Sequence, residues 1–307
     1  GTTEKLVQNL NYGEVDTGGL TSFDSDGFGL TGDDTQWNNN GTLYVSWNWL
    51  SGGGPTATNV ATSGAMTANS VSLNGSLQAS YTPSGSPGKY PTGMSINTTN
   101  GSSIVRWTGA SAADTLPHGL SETPELIIYK AVDTTSEWIV GSGAPAVMDW
   151  TQYLVLNEVA AKAYSASAWS DAAPDANLFT IGAFGATDSF ISYCFHSIEG
   201  YSKVGTYVGN GDVDGTFFYT GFRPAFILVK SSESARDWQV FDDKRLGYNP
   251  DNNQLVVTGN AAATTTDYID ILSNGFKTRI GSNPNKSADD YLYYAVAANP
   301  FKYANAR

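Results

Sequence analysis

The sequence predicts an all-β protein made of tandem antiparallel β-sandwich modules, of the jelly-roll or concanavalin kind. Three observations carry this. The apolar runs are short and rich in Val, Ile, Tyr, Phe and Trp, and turns of Gly, Asn and Asp separate them; the 307 residues include 33 Gly and are 12% aromatic. Helical periodicity is almost absent, and the best candidate, Asn157 to Ala168, is Ala-rich without an amphipathic stripe. The chain also repeats itself at a spacing of about one hundred residues.

The repeat is read from aligned strands. Thr123-Pro124-Glu125-Leu126-Ile127-Ile128-Tyr129-Lys130 returns as Arg223-Pro224-Ala225-Phe226-Ile227-Leu228-Val229-Lys230. Trp138 returns as Trp238, and Leu154-Val155-Leu156 as Leu255-Val256-Val257. Phe190-Ile191-Ser192-Tyr193-Cys194-Phe195 answers Tyr291-Leu292-Tyr293-Tyr294-Ala295-Val296. In the last copy the strands fall near 204–209, 216–221, 225–230, 237–242, 254–258, 267–272, 275–280 and 290–297. Turn signals such as Gly209-Asn210-Gly211, Asn249-Pro250-Asp251-Asn252-Asn253 and Ser273-Asn274-Gly275 divide them. Pro124 and Pro224 suit strand starts, where no ladder donor is lost. The runs that follow, apolar at consecutive positions, read as central strands buried on both faces.

The organisation that results is 101–200 and 201–307 as two sandwich repeats, with a partial repeat at 1–50. Lys5-Leu6-Val7 matches the Leu154 strand, Ser25-Asp26-Gly27-Phe28 matches Ser273-Asn274-Gly275-Phe276, and Thr42-Leu43-Tyr44-Val45-Ser46-Trp47 matches the final strand. The front piece thus carries the second half of a module. Residues 51–100, rich in Gly, Ser, Thr, Asn and Pro, read as a linker or as an extended β segment. A half module exposes strand edges, so 1–50 is expected to complete a sheet in trans or to pack on the first full repeat. The short connection from Ile198 to Lys203 implies a fixed angle between the full repeats.

Composition excludes some roles. The formal charge of −13 repels phosphate backbones, so no nucleic-acid partner is expected. One cysteine rules out an internal disulfide. No apolar stretch approaches the roughly 20 residues of a spanning helix, so no membrane insertion is expected. Beginning at Gly1 points to processing, trimming or a partial chain.

Three stretches taken together carry a family resemblance. They are Ser192-Tyr193-Cys194-Phe195-His196-Ser197-Ile198-Glu199-Gly200-Tyr201-Ser202-Lys203, Gly205-Thr206-Tyr207-Val208-Gly209-Asn210-Gly211, and Tyr219-Thr220-Gly221-Phe222-Arg223-Pro224-Ala225-Phe226-Ile227-Leu228-Val229-Lys230. The chain resembles a phage-associated β-sandwich domain of undetermined biochemical role, found in tandem in virion proteins and tail fibres, notably of marine phages. His118-Gly119-Leu120 and Asn299-Pro300-Phe301-Lys302 fit the same pattern. The resemblance covers most of 101–302 and, more weakly, 1–50. It implies a virion structural part and supplies no catalytic residues.

Candidate sites are weighed against packing. Cys194 aligns with Ala295 and Ser46, which marks a place for a small side chain. His196, two residues on, aligns with Ala297 and Asn48, and a catalytic base should not be optional among copies. His118 reads as a turn histidine bonded to backbone, with Thr220 or a neighbour in its place in the last copy. Asn210-Gly211-Asp212-Val213-Asp214-Gly215 opens like a calcium loop, with Asp212 and Asp214 as oxygen ligands, yet Gly221 stands where the bidentate Glu belongs. A Gly/Asp turn is the better reading, with calcium the one cofactor left open. Trp138 and Trp238 recur and read as core. Trp37, Trp150 and Trp169 have no counterparts, lie in polar contexts and are the candidates for a surface ligand-binding patch. No repeated pair of carboxylates suits glycoside hydrolysis.

The functional expectation is a non-enzymatic virion protein, structural or adhesive, such as a tail fibre or appendage, located on the virion or outside the cell. Its expected partners are copies of itself, other virion proteins and a host-surface glycan. A capsid or tube-forming subunit is the alternative. A glycan-degrading enzyme on the same fold is the alternative of another class.

Overall fold

A computed structural model describes residues 4–16, 18–24, 27–32, 37–144, 147–245, 249 and 253–301. Of the positions read from the sequence, Ser25, Asp26, Pro250 to Asn252 and Lys302 lie outside these.

The described chain is all-β, and its single helix is the short turn Ala166–Trp169, which overlaps only the end of the Asn157 to Ala168 candidate. All eight strands read in the last copy form. Ser202–Val208, Asp290–Ala297, Pro224–Ser231, Gln239–Asp242 and Leu255–Val256 lie side by side in that order. A three-stranded layer of Phe217–Tyr219, Gly275–Thr278 and Ile269–Leu272 covers one face of this sheet. The preceding residues give the same order with Ser102–Thr108, Ser189–Phe195, Leu126–Ala131, Ile139–Ser142 and Gln152–Val155. There the covering layer is the pair Asp114–Pro117 and Leu178–Ile181. Register follows the sequence alignment, since Ile127 lies opposite Cys194 and Ile227 opposite Ala295.

Within residues 51–100, Val71–Leu73, Ser76–Leu77 and Gly93–Asn97 are strands, joined by irregular chain. Gly93–Asn97 pairs with Ser102–Thr108 and widens the first sheet to nine strands. The next strand out, Val71–Leu73, lies parallel to Gly93–Asn97, against the antiparallel expectation. The reason is the Gly/Ser/Pro-rich path between them, which carries the chain back before it pairs. At the front, Glu4–Lys5 pairs with Val15–Asp16, and Leu20–Phe23 with Phe28–Leu30.

Alternation along each central strand divides the core three ways. Ile127, Tyr129, Trp107 and Phe190 face the first covering layer. Ile227, Val229, Phe241 and Tyr293 face the second. The opposite faces of the two large sheets meet each other: Leu126, Trp138, Val140 and Leu154 pack with Phe226, Leu228, Trp238 and Tyr294. The two apolar runs are therefore buried on both sides. Each such aliphatic side chain contributes about 1.5–3 kcal/mol relative to exposure. The connection between the sheets is a tight turn, with Tyr201 N donating to Ile198 O and Gly200 at φ +73°, so the shared core and the turn together fix their angle.

The same bonds recur at both seams. Trp238 Nε1 donates to Val155 O at 2.8 Å, and Trp138 Nε1 to Val7 O at 3.2 Å. Lys162 N donates to Ser232 O, and Glu14 N to Val132 O. The front segment thus packs on the first full repeat as that repeat packs on the second.

Candidate binding grooves

Two of the three candidate tryptophans are not on the surface. Trp169 has no exposed area and Trp150 is 6% exposed. Their rings meet edge-on at 5.0 Å, and Trp169 meets Tyr129 at 5.1 Å. Gly141 makes room for them: a Cβ there would sit 2.4 Å from Trp169 and 2.6 Å from Trp150. Polar neighbours in sequence concealed an apolar destination. These two side chains are core, and the expectation of a surface patch is corrected. Trp37 is half-buried, lines an apolar cleft at the front of the chain, and carries the Lys5 ammonium 4.9 Å above its ring.

Asp212 and Asp214 form a salt-bridged turn. Asn210 Oδ1 accepts from Asp212 N, and Asp212 Oδ1 from Asp214 N. The Asp214 carboxylate meets Lys277 Nζ at 2.6 Å and Arg279 at 3.7 Å, and the Lys277 ammonium holds its pKa below the ordinary carboxylate value. Two protein cations thus already pair with the exposed Asp214 carboxylate. Among the described residues no group of three or more His, Cys, Asp or Glu is placed to hold a metal.

Cys194 is wholly buried, and burial pushes its thiol up to about 12. Ala295 is buried in the equivalent place. His196 is buried two residues on, with Nδ1 3.0 Å from Ser197 O. A thiol this far from ionisation is no nucleophile. His118 is also wholly buried. Leu120 N donates to Nδ1, which leaves the Nε2 proton for Asp175 O at 3.2 Å. Thr220 makes the matching turn in the last copy, accepting from Phe222 N.

Sequence reasoning passed over Lys130 and Lys230, although both close the buried apolar runs at the same place in the repeat. Both are buried. Lys230 Nζ donates to Val159 O across the seam and to Arg236 O, and burial lowers its pKa to about 8.

A groove of about 680 Å³ opens where the two full repeats join, on the stretch after Cys194 and His196. Glu125, Glu199, Lys203, Tyr219, Thr220 and Phe301 line it. Tyr219 is 60% exposed, and Lys203 Nζ both donates to Tyr219 O and lies 5.6 Å from its ring. One Glu125 oxygen already accepts from Ser197 N. Carboxylate, ammonium, hydroxyl and exposed ring together suit a polyhydroxylated ligand held by hydrogen bonds and stacking. A second groove of about 650 Å³ on the large sheet is lined by Thr56, Thr58, Thr92, Ser95, Ser189 and Arg106. No helix is long and apolar enough to cross a membrane among the described residues.

Fold and grooves define a layered all-β protein whose two large sheets pack on each other through one of three core clusters. The chain belongs to the family described as Domain of unknown function (DUF7483), whose model matches residues 1–86 and 76–300. No curated protein and no solved structure matches it.

Proposed function

We propose that the protein is a non-catalytic structural or adhesive part of a phage virion, of the tail-fibre or appendage kind. The observation that carries this reading is the repeated seam, where a tryptophan of one unit bonds a backbone carbonyl of the unit before it. Units locked in this way through a buried core make a stiff body, which suits a load-bearing or presenting role. The phage setting rests on the motif resemblance alone. Its partners in this reading are copies of itself and other virion proteins. Gold-labelled antibodies against the chain should decorate the tail or its fibres on intact particles. Decoration of the capsid shell supports a capsid or tube subunit instead, and absence from particles sinks the proposal.

The groove at the join favours a host-surface glycan as ligand. The chain should bind a subset of glycans on an array without releasing reducing sugar, and Tyr219→Ala should abolish that binding. Release of sugar that disappears in Glu199→Gln would make it a glycan-degrading enzyme.

A further inference from the structure

The groove of about 650 Å³ is built on one face of three neighbouring strands. Gly93–Asn97, Ser102–Thr108 and Ser189–Phe195 lie side by side, with Gly93 opposite Arg106, Ser95 opposite Ile104, and Ile191 opposite Arg106 from the other side. Residues directly opposite each other share a face. Arg106 therefore stands in the middle of a floor whose apolar parts are Ile104 and Ile191. The wall is the segment 55–58, held in place by Thr56 N and Ala57 N, which both donate to Asn69 O. The volume falls within the roughly 300–1,000 Å³ of small-molecule sites.

Three features of this floor serve no evident purpose in the fold. The first is Arg106, which does not recur: Thr206 stands at its place in the last repeat, where no strand lies beyond Ser202–Val208. Its side chain is half exposed, and its one ion pair among the described residues, with Glu14, spans 4.0 Å, beyond hydrogen-bond reach. Most of the guanidinium fork is left for another acceptor. The second is Gly93. Its φ lies outside the left-handed region, and a Cβ would meet nothing closer than Ser70 O at 3.6 Å and Pro55 Cγ at 3.9 Å, which are ordinary contacts. Neither backbone nor packing asks for glycine, which costs backbone freedom on folding. Its missing side chain keeps the floor open beside Arg106, as glycine does where a ligand approaches a strand closely. The third is Ser95, only 8% exposed, whose hydroxyl has no hydrogen-bond partner among the described residues. A buried hydroxyl left unpaired is unfavourable, and an oxygen brought into the groove could satisfy it.

The rest of the lining is hydroxylated. Thr56, Thr58, Thr92 and Ser189 edge the floor. Thr92 Oγ1 donates to Arg106 O at 3.0 Å, which fixes it beside the arginine and leaves its lone pairs to accept.

We propose that this groove binds an anionic saccharide, a sugar ring bearing a carboxylate or a sulfate. The anion takes the Arg106 fork, the ring hydroxyls exchange hydrogen bonds with the threonines and Ser189, and the apolar face of the ring rests on Ile104 and Ile191. The chain's net charge of −13 does not prevent this. Exposed charges more than about 8 Å apart are largely screened at physiological ionic strength, so the local guanidinium outweighs the distant carboxylates. Glu14 is the near competitor for the fork. The site is separate from the groove at the join and depends neither on glycan binding there nor on a place in a virion.

The test is calorimetric titration with uronic acid trimers and sulfated trimers, beside neutral trimers of the same linkages. Acidic trimers of at least one kind should bind, and their neutral counterparts should bind about tenfold more weakly or worse. Arg106→Thr, which copies the residue at 206, should weaken acidic binding by about tenfold or more while leaving the melting temperature in place. Arg106→Lys should retain part of the affinity, and Gly93→Val should block the groove. Glu14→Gln should strengthen binding, because the fork loses its competing carboxylate. Tyr219→Ala should leave acidic binding unchanged, which separates this site from the groove at the join. The proposal is overturned if no acidic trimer binds, if neutral trimers bind as well as acidic ones, or if binding survives both Arg106→Thr and Gly93→Val.

Discussion

The Trp238 indole donates to the Val155 carbonyl at 2.8 Å from the far side of a seam between repeats. The bond is buried, so the carbonyl has no water to turn to. Trp138 bonds Val7 in the same way. Trp238→Phe keeps most of the apolar volume and removes the donor. Its expected cost is about 2–3 kcal/mol, from an orphaned buried acceptor plus lost packing. Urea unfolding measures it. Trp138→Phe should instead release the front segment, seen as faster proteolysis near residues 7–14 with a smaller change in the global midpoint.

His118 makes stability depend on pH. Burial lowers its pKa from 6.5 to about 4, His196 adds to the fall, and Asp175 opposes it. The folded value lies below the unfolded one, so protonation favours the unfolded chain. Stability is full above about pH 6.5 and is lost as pH falls through the window down to about 4, by roughly 3 kcal/mol in all. Carboxylates with lowered pKa begin to lose their contribution only below about pH 5, so the upper part of this window isolates the histidine. His118→Thr, which copies the turn at Thr220, should flatten the curve of unfolding free energy between pH 6.5 and 4. An unchanged slope would assign the dependence elsewhere.

What the sequence made legible follows from where the information lies. Strand positions could be read because each repeat states them again, and the structure then pairs Ile127 with Cys194 as it pairs Ile227 with Ala295. The same comparison identified Cys194 as a packed small residue. Trp150 and Trp169 were misread because the residues that enclose them, Gly141 and Tyr129, are distant in sequence and without special signature. The seam bonds were invisible because Val7 and Val155 are met at their carbonyls, which every residue has. Residues 51–100 joined the sheet through backbone pairing with Ser102–Thr108, and composition does not encode a pairing partner.

Cys194 should behave as buried apolar volume. Its thiol, raised to about 12 and without exposed surface, should not react with a thiol reagent in the native protein and should react fully in denaturant. Cys194→Ala copies the residue at 295 and should cost about 1 kcal/mol or less. Cys194→Leu forces extra methyl groups between Ile127 and the covering layer and should cost about 1–3 kcal/mol. Thermal melts of the pair test the size limit directly.

Gly141 tests whether Trp150 and Trp169 belong to the core. It lies in the Ile139–Ser142 strand with φ outside the left-handed region, so the backbone tolerates any residue there. Only space is at issue. A Cβ would stand 2.4 Å from one indole and 2.6 Å from the other, and both rings are fixed by neighbours, Trp169 against Tyr129 and Trp150 against Trp169. Gly141→Ala would normally gain a little in a strand, because Gly loses more backbone freedom on folding. Here overpacking should dominate, with a net loss of about 1–3 kcal/mol. A second change, Trp150→Phe, shrinks one wall of the pocket and should recover part of that loss, so the two substitutions should be less costly together than their sum. Additive losses in urea unfolding would mean the rings do not share the space Gly141 leaves.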